Sequence, residues 1–238
     1  MEIRIRGRGV AVTMRTPGHD EELAAGFLFT ENIVRTRSEI KRIANCRGSF
    51  TPNDTLDIFL AAGVEVDFAR LTRHVYAASS CGLCGKATLD AVRQNFPPVD
   101  SRATVSAATL LKLPQRMRRA QAAFAKTGGL HAAAVFDLRG KLVVLREDIG
   151  RHNAVDKVVG HGFLNGDFPF GAHVLLISGR ASLEIMQKSL AARVPIVCAV
   201  SAPSSLAVEF ARTSGQTLVG FLRDETMNVY AHPERIRP

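Results

Sequence analysis

His173-Val174-Leu175-Leu176-Ile177-Ser178 and Ile196-Val197-Cys198-Ala199-Val200-Ser201 are two short apolar runs, and the residues between them, Ser182 to Ala192, read as a helix. A strand buried on both faces is apolar throughout instead of alternating, and a strand, helix, strand unit of this kind brings its strands parallel. The rhythm extends outward. Upstream lie strands over His131 to Asp137 and Leu142 to Arg146 and a helix over Asn153 to Gly160. Downstream lie a helix over Pro203 to Arg212 and strands over Thr217 to Leu222 and Met227 to Ala231. The expectation is an α/β fold whose largely parallel sheet is covered on both faces, with Cys198 in its core.

Ahead of this series, Ser106 to Leu113 and Pro114 to Lys126 read as two helices, the second opened by its proline and closed by Gly128-Gly129. The N-terminal part differs. Ile3, Ile5, Val10 and Val12 alternate around Gly7 and Gly9 as in a hairpin, and Pro17-Gly18-His19-Asp20 starts a helix expected to reach Ile33. Period-two runs at Ile40 to Ile43, Leu56 to Leu60 and Val64 to Phe68 predict short strands. His74 to Ala78 predicts another, leading into Ser79-Ser80-Cys81-Gly82-Leu83-Cys84-Gly85 and a helix that stops at Pro97-Pro98. Two domains are expected, a small α+β one over 1–78 and a larger α/β one over 79–238.

With 238 residues and 46% hydrophobic content the chain can bury a sizeable core. No run approaches the roughly 18 apolar residues of a membrane span, and Met1-Glu2-Ile3-Arg4-Ile5-Arg6 lacks the apolar centre of a signal peptide. The expectation is a cytoplasmic protein without a membrane partner. Four cysteines in a chain of this size make no disulfide framework, in keeping with a reducing compartment. A net charge of +9 points to an anionic partner: nucleic acid, an acidic protein face or a phosphate-bearing small molecule. Base-stacking aromatics are scarce, with no Trp and only Tyr76 and Tyr230 as tyrosines, so nucleic acid is not expected. The basic run Arg116-Met117-Arg118-Arg119 reads as a solvated helix face.

The chemistry concentrates at Cys81 and Cys84. A glycine-rich loop turning into a helix places both thiols where free N–H groups and the helix dipole favour a thiolate. Half of a zinc site, a dithiol redox pair and a sulfur carrier all use this spacing. Structural zinc needs a second ligand pair, and Cys46 and Cys198 are single and distant, so no metal is expected. Redox and sulfur transfer stay level on residues alone. His19-Asp20-Glu21 with a later Cys-x-x-Cys also outlines a zinc deaminase, but no proline precedes Cys81 and helix capping accounts for the acidic residues.

In parallel sheets, ligands bind at the carboxyl ends of strands, where helix N-termini offer N–H groups to phosphates. Three segments fall there: Glu147 to Asn153, Ser178-Gly179-Arg180-Ala181-Ser182, and Ser201-Ala202-Pro203-Ser204-Ser205. Arg151 and Arg180 suit bidentate phosphate contact, while plain helix capping explains the serines and aspartate equally well. Asp156 and Lys157 read as a solvated pair as readily as site residues.

Several long motifs resemble the FdhD family of formate dehydrogenase accessory sulfurtransferases. They are Thr16 to Ala24 with Gly26-Phe27-Leu28, the cysteine loop, Thr127-Gly128-Gly129-Leu130-His131, Glu147 to Lys157, Ser178 to Glu184, and the tail from Gly220-Phe221-Leu222-Arg223 to Ile236. One departure is Asn32, where the family pattern usually shows glycine. The resemblance implies a homodimeric sulfur carrier with a core similar to the three-layer cytidine deaminase fold. Such a carrier takes sulfur from a cysteine desulfurase and delivers it to the molybdenum bis(guanine dinucleotide) cofactor before that cofactor enters the formate dehydrogenase catalytic subunit. Carried over by position, it implies Cys81 as the persulfide cysteine, Cys84 as its helper, and Phe221, Leu222, Arg223, Asp224, Glu225 and Thr226 as the cofactor-contacting segment.

Overall fold

The computed structural model of the chain describes residues 1–46, 54–68 and 96–238. Cys81 and Cys84, the strand and helix expected around them, and the 78/79 boundary lie outside the described residues. The N-terminal part builds β1 (Glu2–Ile5), β2 (Arg8–Val12), α1 (Asp20–Thr30), β3 (Ile40–Asn45) and β4 (Thr55–Leu60). β5 (Val105–Ser106), α2 (Ala107–Ala120), α3 (Ala122–Thr127), β6 (His131–Asp137), β7 (Leu142–Asp148), α4 (Arg151–Asn165) and β8 (His173–Ile177) follow. Then come α5 (Leu183–Ala191), β9 (Ile196–Ala199), α6 (Ser205–Ser214), β10 (Thr217–Gly220), β11 (Asn228–Ala231) and β12 (Ile236–Arg237).

The large sheet has the order β11-β10-β9-β8-β6-β7. β8, β9 and β10 are parallel, as the strand and helix alternation requires, but β6 and β11 run against them, and β7 pairs antiparallel with β6. The expected largely parallel sheet is therefore a mixed one. Short turns leave no length for a crossover between β6 and β7 or between β10 and β11, so those pairs fold back as hairpins. One face, through Ala132, Ala134, Phe136, Val174, Leu176, Cys198 and Val219, packs on Leu110, Leu113 and Met117 of α2. The other face, through Ala133, Val135, Leu175, Ile177, Val197 and Leu218, packs on α4, α5 and α6. Each such large side chain contributes about 1.5–3 kcal/mol on burial. Cys198 is fully buried, and burial pushes its thiol pKa up.

The small sheet, order β2-β1-β4-β3, and α1 join the second of these clusters through Ile3, Ile5, Val10, Ala24, Leu28, Ile40 and Ile58. α1 lies against α4 with backbone touching backbone. A Cβ on Gly26 would fall 1.9 Å from the Asp156 carbonyl oxygen, and one on Gly160 would fall 1.8 Å from that of Glu22. α1 and α4 are consequently buried almost all round.

Some local expectations give way. α1 ends at Thr30 because the backbone turns at Asn32, which adopts φ +58°, a left-handed conformation that asparagine tolerates in place of glycine. Val64 to Phe68 is not a strand; Arg6 donates to the Val64 carbonyl at 2.8 Å and Arg8 stacks on the Phe68 ring. Pro114 does not divide two helices. α2 runs through it because Leu110, Leu113 and Met117 all bury on the sheet, and the break comes at Gln121.

Candidate functional site

A cavity of about 640 Å³ opens at the carboxyl ends of the parallel strands. Ser178 follows β8, Val200 follows β9, Asp224 lies in the turn after β10, and His131 begins β6, whose antiparallel course brings its first residue to the same end. α2 and α3 supply the remaining wall with Pro114, Gln115, Met117, Arg118, Gln121, Phe124, Gly128, Gly129 and Leu130. That wall is largely apolar, and the Arg118 guanidinium lies 4.0 Å from the centre of the Phe124 ring. A flat heterocycle fits such walls, with His131, Ser178 and Asp224 as its polar contacts.

The wall is held from the sheet. α3 has only six residues, and its first free N–H groups are taken by one side chain: the Glu147 carboxylate accepts from Ala123 at 2.8 Å and from Phe124 at 2.7 Å. Gly128, at φ +68°, ends the helix and turns the chain toward His131. Ser178 Oγ accepts from the Ala132 backbone at 2.8 Å, locking the start of β6 to the end of β8.

Arg151 and Arg180 come together around His131. Burial first, then the charges of Arg151 and Arg180, lower the His131 pKa, so its ring is neutral at physiological pH. The absence of a side chain at Gly179 lets it sit between them, since a Cβ there would lie 3.3 Å from His131 Nδ1 and 3.4 Å from Arg151 Cδ. Next along α4, His152 is pushed down to about 3, by burial foremost and then by Arg151, Lys188 and His131. Its Nε2 lies 3.1 Å from Ser182 Oγ and 3.9 Å from a Glu184 carboxylate oxygen, and neither Glu184 oxygen has a hydrogen-bond partner among the described residues.

Much of the Glu147 to Lys157 motif is scaffold. Asp148 and Lys157 pair at 2.8 Å in full burial, Asp148 accepts from the backbone of Thr16 and Gly150, and Lys157 donates to the Thr16 carbonyl. Thr16 Oγ1 accepts from Ile149. The Thr16 and Glu147 motifs, distant in sequence, are two halves of one hydrogen-bond network. Asp156 is not solvated either; it pairs with Lys188 at 2.8 Å inside the protein.

Of the three strand-end segments, Ser201 to Ser205 caps α6 through Ser204, which accepts from Ala207, whereas Ser182 turns to His152 instead of capping α5. Within the tail segment Asp224 reaches the cavity and Leu222 is fully buried in the core. Phe221 is partly exposed at φ +51°, while Arg223, Glu225 and Thr226 are exposed, with Arg223 N–H donating to the Thr226 carbonyl. The sequence reading missed the α2 and α3 wall. Its signal lay in Thr127 to His131, whose two glycines close a helix directly before a strand.

Only the His19 half of the deaminase outline falls within the described residues, since Cys81 and Cys84 lie outside them. His19 Nδ1 lies 3.5 Å from Glu22, and the Glu22 carboxylate is held bidentately by Arg146 at 2.5 and 2.8 Å and contacts His161 at 2.9 Å. Burial raises the Glu22 pKa, but the bonds from Arg146 and His161 outweigh it and hold the carboxyl below its ordinary value. No group of three metal-ligating side chains occurs among the described residues. Nor is any helix among them long and apolar enough to cross a membrane.

The family model for FdhD/NarQ matches residues 1–237. The chain belongs to the FdhD/NarQ family. Sulfur carrier protein FdhD of Mycobacterium tuberculosis is 52% identical, the alignment covering 99% of this chain and 89% of the relative. That of Streptomyces coelicolor is 49% identical over 99% of this chain and 86% of its own. A solved structure from Desulfotalea psychrophila, described as a formate dehydrogenase accessory protein, superposes with a TM-score of 0.79 at 27% identity, covering 99% of this chain and 88% of that one. The mixed α/β fold is thus common to this chain and the Desulfotalea psychrophila protein.

Proposed function

We propose that the protein is the sulfur carrier of formate dehydrogenase maturation. The Cys81 thiolate attacks the terminal sulfur of a desulfurase persulfide, forming a new S–S bond as the desulfurase cysteine leaves as thiolate. Cys81 then holds the transferable sulfur, and Cys84 assists its release. The acceptor is the molybdenum bis(guanine dinucleotide) cofactor, bound as substrate before it enters formate dehydrogenase. In this reading the core is a three-layer, cytidine-deaminase-like domain and the protein works as a homodimer in the cytoplasm.

The observation that carries the reading is the cavity at the strand ends, largely apolar and lined also by His131, Ser178 and Asp224, with Arg151 and Arg180 close to His131. Base and phosphates need these two kinds of surface side by side: an apolar slot with a carboxylate to accept from the guanine N–H edge, and guanidinium groups for phosphate. Phe221 to Thr226 contribute chiefly through Asp224.

Intact mass after incubation with a desulfurase and cysteine tests the sulfur step. Addition of one sulfur atom, lost in Cys81→Ala, is expected; loading confined to Cys84, or none, overturns it. Calorimetry with guanosine diphosphate tests the cargo site. Asp224→Ala and Arg151→Ala should each weaken binding about tenfold, the scale of a lost charged hydrogen bond. Unchanged affinity in both folded variants would move the nucleotide elsewhere.

A further inference from the structure

Of the six exposed residues of α2, four are cations, Lys112, Arg116, Arg118 and Arg119, and none is acidic. Lys112, Arg116 and Arg119 recur at i, i+4 and i+7, opposite the face that buries Leu113 and Met117, and so form a stripe about 10 Å long. Arg116 donates to the Gly140 carbonyl, which brings the β6–β7 turn, with Arg139 and Lys141, against the same stripe. Lys126, in the last turn of α3, adds a further cation to this part of the chain. These six cations, Lys112, Arg116, Arg119, Lys126, Arg139 and Lys141, are all exposed. Between residues 112 and 141 the chain carries one carboxylate, Asp137, and that one accepts from the backbone N–H groups of Arg139 and Lys141. None of the six lies within ion-pairing distance of a carboxylate among the described residues. Other exposed cations, such as Arg35, Lys41 and Arg212, are also outside ion-pairing distance of a carboxylate among the described residues; the α2 stripe differs in bringing several onto one helix and the turn against it.

The geometry points to this stripe as a docking face for a carboxylate-rich protein surface. A run of uncompensated, solvated cations on a rigid helix steers an acidic partner toward it and orients that partner. A nucleic-acid strand is the poorer fit. Binding single strands calls for exposed aromatic faces, and the aromatic ring at this end, Phe124, is already covered by Arg118. A second copy of this chain would bring the same positive charge and be repelled. The inference stands apart from the nucleotide reading, because none of the six cations lines the cavity.

The test uses the full chain and a fluorescent twenty-residue polyglutamate peptide as probe, in anisotropy titrations at low and physiological salt. The stripe variant is Lys112→Gln, Arg119→Gln, Lys126→Gln, which spares Arg116 and its bond to Gly140. The control removes equal charge elsewhere, with Arg35→Gln, Lys41→Gln, Arg212→Gln, all exposed positions. The stripe variant should lose about tenfold or more in peptide affinity and the control less than about threefold, both keeping their guanosine diphosphate affinity. Equal losses would reduce the effect to net charge and overturn the proposal. So would absence of peptide binding, or tighter binding to a single-stranded oligonucleotide or an anionic vesicle under the same conditions. Peptide binding left intact in the stripe variant would overturn it too, and loss of guanosine diphosphate affinity in that variant would assign the stripe to the nucleotide's phosphates instead.

Discussion

The carboxylate of Glu147, on β7, accepts from the backbone N–H of Phe124 at 2.7 Å, so a residue of the sheet holds the helix that walls the cavity. A six-residue helix has no stability of its own in water, and its place depends on that bond and on the neighbouring one from Ala123. Glu147→Ala is expected to raise hydrogen exchange at Ala123 and Phe124 and to weaken guanosine diphosphate binding about fivefold or more, with persulfide loading of Cys81 unchanged. Glu147→Gln, which keeps one acceptor oxygen, should fall between. Unaltered exchange at the two amides in Glu147→Ala would rule the role out.

The contact of α1 with α4 leaves no room for a methyl group. Gly26→Ala and Gly160→Ala each place a carbon under 2 Å from a backbone oxygen, which neither helix can avoid without separating. Each substitution should lower stability by about 3 kcal/mol or more in urea titration, at the upper end for overpacking. Gly166→Ala, at φ +83° with open space around it, should cost about 1 kcal/mol. Similar losses at all three positions would mean that the helices do not touch this closely.

His152 makes stability depend on acid. Its folded pKa, about 3, lies below the ordinary histidine value, so between those two pH values the unfolded chain binds a proton that the native one refuses. Stability is then full above about pH 6.5 and falls as pH drops toward 3, by on the order of 2 kcal/mol from this group between pH 6.5 and 5. His152→Gln should flatten the acid limb of a Tm-versus-pH curve over that window. An unchanged slope would show that the ring titrates normally.

Lys188 and Asp156 form a buried pair that also engages Thr30, tying α5, α4 and α1 together. Burial lowers the Lys188 pKa, but Asp156 and Glu31 outweigh it and keep the amine charged. Lys188→Met leaves a carboxylate stranded in the core and should cost about 3–5 kcal/mol, whereas Lys188→Met with Asp156→Leu should recover most of the loss. A double variant as unstable as the single one would show that shape, not charge, is what the pair supplies.

What the sequence determined by itself was local and periodic. The apolar runs at His173 and Ile196 place β8 and β9, and their continuous hydrophobicity requires a sheet covered on both faces. The Arg6-Gly7 turn, the capping of α6 by Ser204 and the burial of Cys198 follow from single residues and their neighbours. The tertiary structure decided whatever joins distant segments. Nothing in Thr16 announces that its backbone will bind Asp148 and Lys157, and nothing in Glu147 announces a cap for a helix more than 20 residues earlier. Pro114 argues for a helix start, yet the sheet face that buries Leu110, Leu113 and Met117 together carries α2 through it. Propensity acts within a turn or two, while a buried carboxylate or a close helix crossing is set by groups from other segments that meet only when the chain folds.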